Sequence, residues 1–186
     1  MFWFTGGLVT ADRAPSDAGA GTFYSGVSNI NFRIEKGNPM AIALRTHYAQ
    51  HGVVSHCDIY AGDGYAGLRD VGNEMENVRF FGGGYGITTG RTSPGWPMMM
   101  VDTYFEGQRE AAIVSRNAGL TIVNMVIKNA PQGVVLERNT TDRLYIESSQ
   151  MENVQTALVS TVEDEACNQI NVIDLRCKSV PTVLSL

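Results

Sequence analysis

Seven segments of this 186-residue chain can be laid over one another: SNINFRIEKG, SHCDIYAGDG, ENVRFFGGG, VDTYFEGQ, VNMVIKNAP, SSQMENVQ and NVIDLRCKS. Each carries one large apolar anchor, at Phe32, Ile59, Phe80, Phe105, Ile127, Met151 and Leu175, at separations of 27, 21, 25, 22, 24 and 24 residues. A second short apolar run follows each anchor: MAIALR, YAGLR, YGITT, AAIVS, GVVLE, TALVS and TVLSL. β-Branched and aromatic residues fill these runs, and Gly, Asn or Pro ends them. Amphipathic helical stretches are hard to find, so the runs read as strands. A strand-turn-strand unit of about two dozen residues cannot bury its apolar face alone and must stack on its neighbours.

The repeat therefore predicts an all-β fold, a right-handed parallel β-helix of about seven coils, as one domain over residues 1–186. A leucine-rich solenoid would need a regular L-x-x-L-x-L frame, which the sequence lacks. The opening MFWFTGG reads as a strand and the closing TVLSL stops in mid-coil, with no polar cap at either end. An open rung exposes unpaired edges and a slice of core. The expectation is a segment of a longer solenoid, or a chain that hides its open ends by self-association.

The stretch FFGGGYGITTGRTSPGWP imitates a phosphate-binding loop. The imitation fails: Tyr85 stands where that loop needs a glycine, Arg91 stands where it needs lysine, and no helix pattern follows. Gly82, Gly83, Gly84 and Gly86 fall between an anchor and the next strand, where every coil turns. They read as corners.

With 44 % apolar and 18 % charged residues the chain is a folded, soluble type. A net charge of −5 without a basic stripe argues against nucleic acid as a partner. No run approaches the length of a membrane span, and MFWFTGG is too short and lacks the basic start of a signal peptide. Cys57, Cys167 and Cys177 are odd in number and read as free thiols, with Cys57 and Cys177 in the core. His47, His51 and His56 lack the glutamate of a zinc protease helix and read as loop and turn residues. No metal site is predicted.

Strand alternation assigns faces. With the anchors inward, Ile30, Cys57, Val78, Thr103, Met125, Ser149 and Ile173 point inward too. The outward columns are Asn31, Asp58, Arg79, Tyr104, Val126, Gln150, Asp174 and Arg33, Tyr60, Phe81, Glu106, Lys128, Glu152, Arg176. Aromatic rings beside charged hydrogen-bonding groups suit sugars, which present apolar CH faces and hydroxyl edges. Tyr60, Arg79, Phe81 and Tyr104 are the candidate substrate-binding residues, with Trp96 from the loop after Gly90 as a further platform. Asp58 and Glu106 are the candidate acid and base. Coils rise about 4.8 Å, so residues two coils apart lie roughly 9 to 10 Å apart, at the upper edge of the ~6.5–9.5 Å of inverting glycosidases. The plain alternative is a solvated sheet held by cross-strand pairs.

The run FYSGVSNINFRIEKGNPMAIALRTHYAQHGVVSHCDIYAGDG, with VGNEMENVRFFGGGYGI after it, resembles the β-helical domain of the pectate-lyase-like superfamily. Within it, the FY-x-x-V-x-N opening, the Ala-Gln before the second coil and F-x-GG-x-YG are similar to the first β-helix of family 55 glycoside hydrolases, exo-β-1,3-glucanases. The likeness covers roughly residues 22 to 115. It implies a secreted or periplasmic polysaccharide-active parent, but carries no catalytic residue onto this chain, because that family holds its catalytic acid in a second β-helix. Three expectations follow. The first is an inverting β-glucanase-like hydrolase using Asp58 and Glu106. The second is a uronate lyase with Arg79 or Lys128 as base and calcium as cofactor. The third is a non-catalytic carbohydrate-binding or assembly module.

Overall fold

A computed structural model describes residues 1–6, 10–18, 22–48, 50–70, 72–90, 97–137, 143–161 and 169–186. The described residues contain no helix. Their strands are β1 (Phe2–Trp3), β2 (Gly26–Ser28), β3 (Phe32–Arg33), β4 (Ile42–Arg45), β5 (Val53–Gly62), β6 (Ala66–Arg69), β7 (Glu74–Gly82) and β8 (Tyr85–Thr89). They continue as β9 (Met98–Val101), β10 (Tyr104–Glu106), β11 (Ala111–Ser115), β12 (Leu120–Val123), β13 (Val126–Leu136), β14 (Arg143–Ser160), β15 (Gln169–Lys178) and β16 (Thr182–Ser185). Every strand-to-strand pairing is parallel, and together they wind a β-solenoid of about six turns.

Pairing sorts the strands into three faces. On the first, Val27, Val54, Met75, Met100, Ile122, Ile146 and Val172 stack in register. On the second the stack is Phe32, Ile59, Phe80, Phe105, Ile127, Met151 and Cys177. On the third it is Phe2, Leu44, Leu68, Ile87, Ile113, Val134, Leu158 and Leu184. These three columns meet along the axis as one core, in which Phe80 and Phe105 stack at 4.8 Å with planes 2° apart. The inner members are fully buried, each contributing about 1.5–3 kcal/mol against exposure.

The corner between the first two faces is the most regular part of the coil. One left-handed residue makes it in each coil: Asn29, His56, Asn77, Asp102, Asn124, Ser148 and Asp174, with φ between 49° and 58°. Asn and Asp tolerate this conformation because their short side chains hydrogen-bond locally. The second corner uses Gly82, Gly107, Asn129 and Asn153 in the same way. Gly82 and Gly83, at φ 70° and 83°, are thus corner residues as expected. Gly86 has a different reason. A Cβ there would stand 2.6 Å from both the Phe105 ring and the Ala112 carbonyl oxygen.

The last coil corrects two expectations. Leu175 pairs with Ser149, and Cys177 takes the anchor position beside Met151. The outward columns therefore end in Arg176 and Lys178, not Asp174 and Arg176. The step from Met151 to Cys177 is 26 residues, so an even 24-residue step lands two positions early. Cys177 shares the inward column of Met151 but is exposed, which corrects its expected place in the core. Cys57, in mid-stack, is buried, and burial pushes its thiol pKa up.

The start of the solenoid is clasped by the chain's own N-terminal arm. β1 adds a strand to β4, Phe4 meets Tyr48 at 5.0 Å, and Phe2 meets Phe32 at 6.1 Å. Arg45 binds Asp17 at 2.8 Å and Asp70 at 3.0 Å, and the Trp3 indole donates to Asp17 at 2.9 Å. Asp17, His47 and Asp70 bring three ligand atoms within 4.8 Å of one another. The Arg45 guanidinium already supplies the positive charge between the two carboxylates, so this cluster is a clasp.

Candidate functional site

The second face brings most of the expected residues together. Asp58, Arg79 and Tyr104 share one outward column; Tyr60, Phe81 and Glu106 share the next. Trp96 and the loop around it lie outside the described residues.

The chemistry of these groups is largely spent on one another. Arg79 donates to both oxygens of Asp58, at 2.6 and 2.7 Å, and the Tyr60 hydroxyl adds a 3.3 Å contact. This bidentate pair strengthens the positive charge on Arg79, raising its pKa. Glu106 accepts from the Tyr104 hydroxyl at 2.7 Å and from Asn129 at 3.4 Å. Burial, with the Glu106 hydrogen bond and charge next, pushes the Tyr104 phenol up to about 12. Asp58 and Glu106 are offset by two residues as well as two coils, which puts their Cα positions about 12 Å apart.

The aromatic column is also self-satisfied. Tyr60 and Phe81 stack at 5.0 Å and 13°, Arg33 covers the Tyr60 ring at 5.0 Å, and Tyr104 tilts against Phe81 at 5.8 Å. Rings stacked along the axis turn their edges, not their faces, to solvent. A polar recess of about 180 Å³ beside Asp58 and Arg79 is lined by Asn31, His56 and Asn77. His56 reaches it from the left-handed corner, a placement that alternation alone does not reveal.

The third face carries a larger groove, of about 340 Å³. Its near wall is Tyr65 and Tyr85, the first residues of the runs YAGLR and YGITT on successive coils. They meet edge to face, with centroids at 5.3 Å and planes at 62°, which leaves one ring face uncovered by the other. The wall is stiff: the Tyr85 amide donates to the Tyr65 carbonyl at 2.9 Å, and the Tyr65 amide to that of Ala41 at 2.8 Å. Arg109 clamps the corner before it, donating to the carbonyls of Gly62, Asp63 and Gly64 at 2.8 to 3.0 Å.

The floor of the groove holds Thr88 and Val114, which pair in register on β8 and β11. The Thr88 hydroxyl is buried without a hydrogen-bond partner. Leaving such a group unpaired costs about 1–3 kcal/mol. On the far wall Arg116 pairs with Glu137 at 2.8 Å, and Arg69 makes only a 3.6 Å contact to Asp70. Burial, then the neighbouring Tyr65, Glu110 and Glu137, raises the Tyr85 pKa, so its hydroxyl remains a donor.

No protein-family model, curated protein or solved structure matches this chain. The third-face groove was missed by a reading that followed the anchors. The signal lay in the runs that follow them: two tyrosines opening successive runs, with Arg69 closing the first.

Proposed function

We infer that this protein is a carbohydrate-binding β-solenoid that holds a neutral saccharide in the groove of its third face. The observation that carries the reading is the Tyr65–Tyr85 pair lining the groove, whose edge-to-face packing leaves one ring face uncovered beside Arg69 and Arg116. A sugar ring has the matching form: an apolar CH face for a tyrosine and hydroxyls that both donate and accept. Arg69 with Asp70 and Arg116 with Glu137 balance in charge, which favours a neutral sugar over a uronate. The volume lies at the lower end of the ~300–1,000 Å³ of small-molecule sites, enough for a short saccharide. The likeness of residues 22 to 115 to exo-β-1,3-glucanases makes β-1,3-gluco-oligosaccharides the first ligands to try.

A binding role fits better than hydrolysis because Asp58 is neutralised by Arg79 and Glu106 is hydrogen-bonded by Tyr104. Titration of the protein with laminari-oligosaccharides, followed by amide chemical shifts, tests the site. Shifts centred on Tyr65, Tyr85 and Thr88 without release of new reducing ends support it. Reducing ends lost on changing Asp58 or Glu106 to its amide would restore the hydrolase reading. Absence of shifts at these residues would sink the groove.

A further inference from the structure

Ion pairs are shared unevenly among the three faces. On the second, Asp58 pairs with Arg79, and Glu152 with Lys128 and Lys178. At the edge of the third, Asp70 pairs with Arg45 and Glu137 with Arg116. The first face has no such balance. From β5 to β14 its two outward columns carry Glu74, Glu76 and Glu147 and no lysine or arginine. Glu147 accepts from the Tyr145 hydroxyl at 2.7 Å, whereas Glu74 and Glu76 have no ion-pair partner among the described residues. Arg143, which opens β14, stands three coils from Glu74, about 14 Å away.

Glu74 stands at a cavity of about 370 Å³ where four successive coils enter this face, lined also by His51, Asn73, Pro97, Met99 and Thr121. Backbone bonds fix its walls: the Met99 amide donates to the Asn73 carbonyl at 2.8 Å, and the Glu74 amide to that of Gly52 at 3.3 Å. His51 is held in the left-handed region, at φ 61°, with its ring stacked on Tyr24 at 5.0 Å and 10°. That backbone conformation is costly for a residue with a Cβ and persists only where the surroundings impose it. Met99 is 50 % exposed, more than any other large apolar side chain described between residues 41 and 171. Asn73 is the buried member of the lining, 8 % exposed, and its Oδ1 has no hydrogen-bond partner. This oxygen is out of reach of a ligand and acts through its partial negative charge, which no donor cancels.

We propose that this cavity binds a primary ammonium group carried on a short aliphatic stem, at a site separate from the third-face groove. The match is one of charge and shape. An ammonium has three donors and no acceptor, and the unpaired Glu74 carboxylate offers it a charge-assisted hydrogen bond. The Thr121 hydroxyl can accept a further one. Met99 and Pro97 supply apolar surface for the stem, and the flexible thioether adapts to its path. An anionic ligand would meet Glu74 with no cation beside it, and a neutral alcohol would leave that charge unused. The volume falls within the ~300–1,000 Å³ of small-molecule sites.

Amide chemical shifts of the full chain, titrated with cadaverine, test this, with pentan-1-ol and pentanoate as the neutral and anionic counterparts. Cadaverine should give saturable shifts in the millimolar range, centred on His51, Glu74, Met99 and Thr121. Pentan-1-ol should bind at least tenfold more weakly, and pentanoate should leave those amides unmoved. Glu74→Gln should weaken cadaverine binding at least tenfold. Glu76→Gln, two residues along the same strand and outside the cavity, should change it less than twofold. Both side chains are exposed, so both variants should keep the folded spectrum. Equal losses in the two variants would mean diffuse attraction to an acidic face and would overturn the proposal. So would pentan-1-ol binding as tightly as cadaverine, or no shift at these residues at tens of millimolar. Glu74→Gln should leave laminari-oligosaccharide binding unchanged, so the two sites are read apart.

Discussion

Arg79 reaches from one coil to the next and holds both carboxylate oxygens of Asp58, at 2.6 and 2.7 Å. The pair sits in the middle of the surface that looked most like a catalytic site. Its geometry is that of a cross-strand brace. Arg79 is half exposed, so the brace contributes of order 1 kcal/mol or less. Asp58→Asn should lower denaturant stability by no more than that, and change laminari-oligosaccharide affinity less than twofold. A tenfold loss of affinity would move the binding site to the second face.

The groove predicts a different pattern. Tyr85→Ala removes half of the aromatic wall and should weaken saccharide binding about two- to twelvefold, from the ~0.5–1.5 kcal/mol of an aromatic contact. Thr88→Val keeps the shape and removes the unpartnered hydroxyl. It should raise the stability of the free protein slightly and change affinity less than twofold, since the hydroxyl is buried, which thermal melts and calorimetry read separately.

Tyr104 gives a pH signature. Its phenol is held up to about 12, against an ordinary value of 10, by burial and then by the Glu106 carboxylate. The stability this reflects is fully present below pH 10 and is lost as pH rises through 12. Ultraviolet titration should show one tyrosine ionising near 12. Glu106→Gln should bring that step down without returning it to 10, since burial remains.

Corner residues should sort by backbone tolerance. Asn77 sits at φ 49°. Asn77→Gly should be close to neutral, and Asn77→Val should destabilise by roughly 1–2 kcal/mol. In the core, Gly86→Ala forces a methyl against Phe105 and the Ala112 carbonyl, and should cost about 1–3 kcal/mol in denaturant unfolding.

Much of the architecture was legible in the sequence because the inward columns need a large apolar residue in every coil, and Phe32, Ile59, Phe80, Phe105, Ile127 and Met151 supply one. The frame slipped at Leu175 because anchors were matched by period alone. Corner residues would have held it: Asp174 stands three before Cys177, as Asn77 stands three before Phe80. The Asp58 and Arg79 register was also readable, but that the two groups neutralise each other depends on side-chain reach, which alternation does not encode. Tyr65 and Tyr85 were visible as a repeated letter. What made them a wall was the clamp of Arg109 on carbonyls more than forty residues earlier, and no local pattern announces that contact.

The corner between the first two faces works as a ruler. From Val27 to Phe32, Val54 to Ile59, Met75 to Phe80, and so through Val172 to Cys177, the step between inward residues is always five. The other connections vary in length. A residue gained within the ruler would turn one face inside out, whereas several gained beyond it only lengthen a loop at the rim. Mutational drift in length is thereby channelled to the margin where the third face ends, beside Arg69, Gly90 and Glu137. The part of the molecule best placed to acquire new specificity is the part whose changes the stack does not feel.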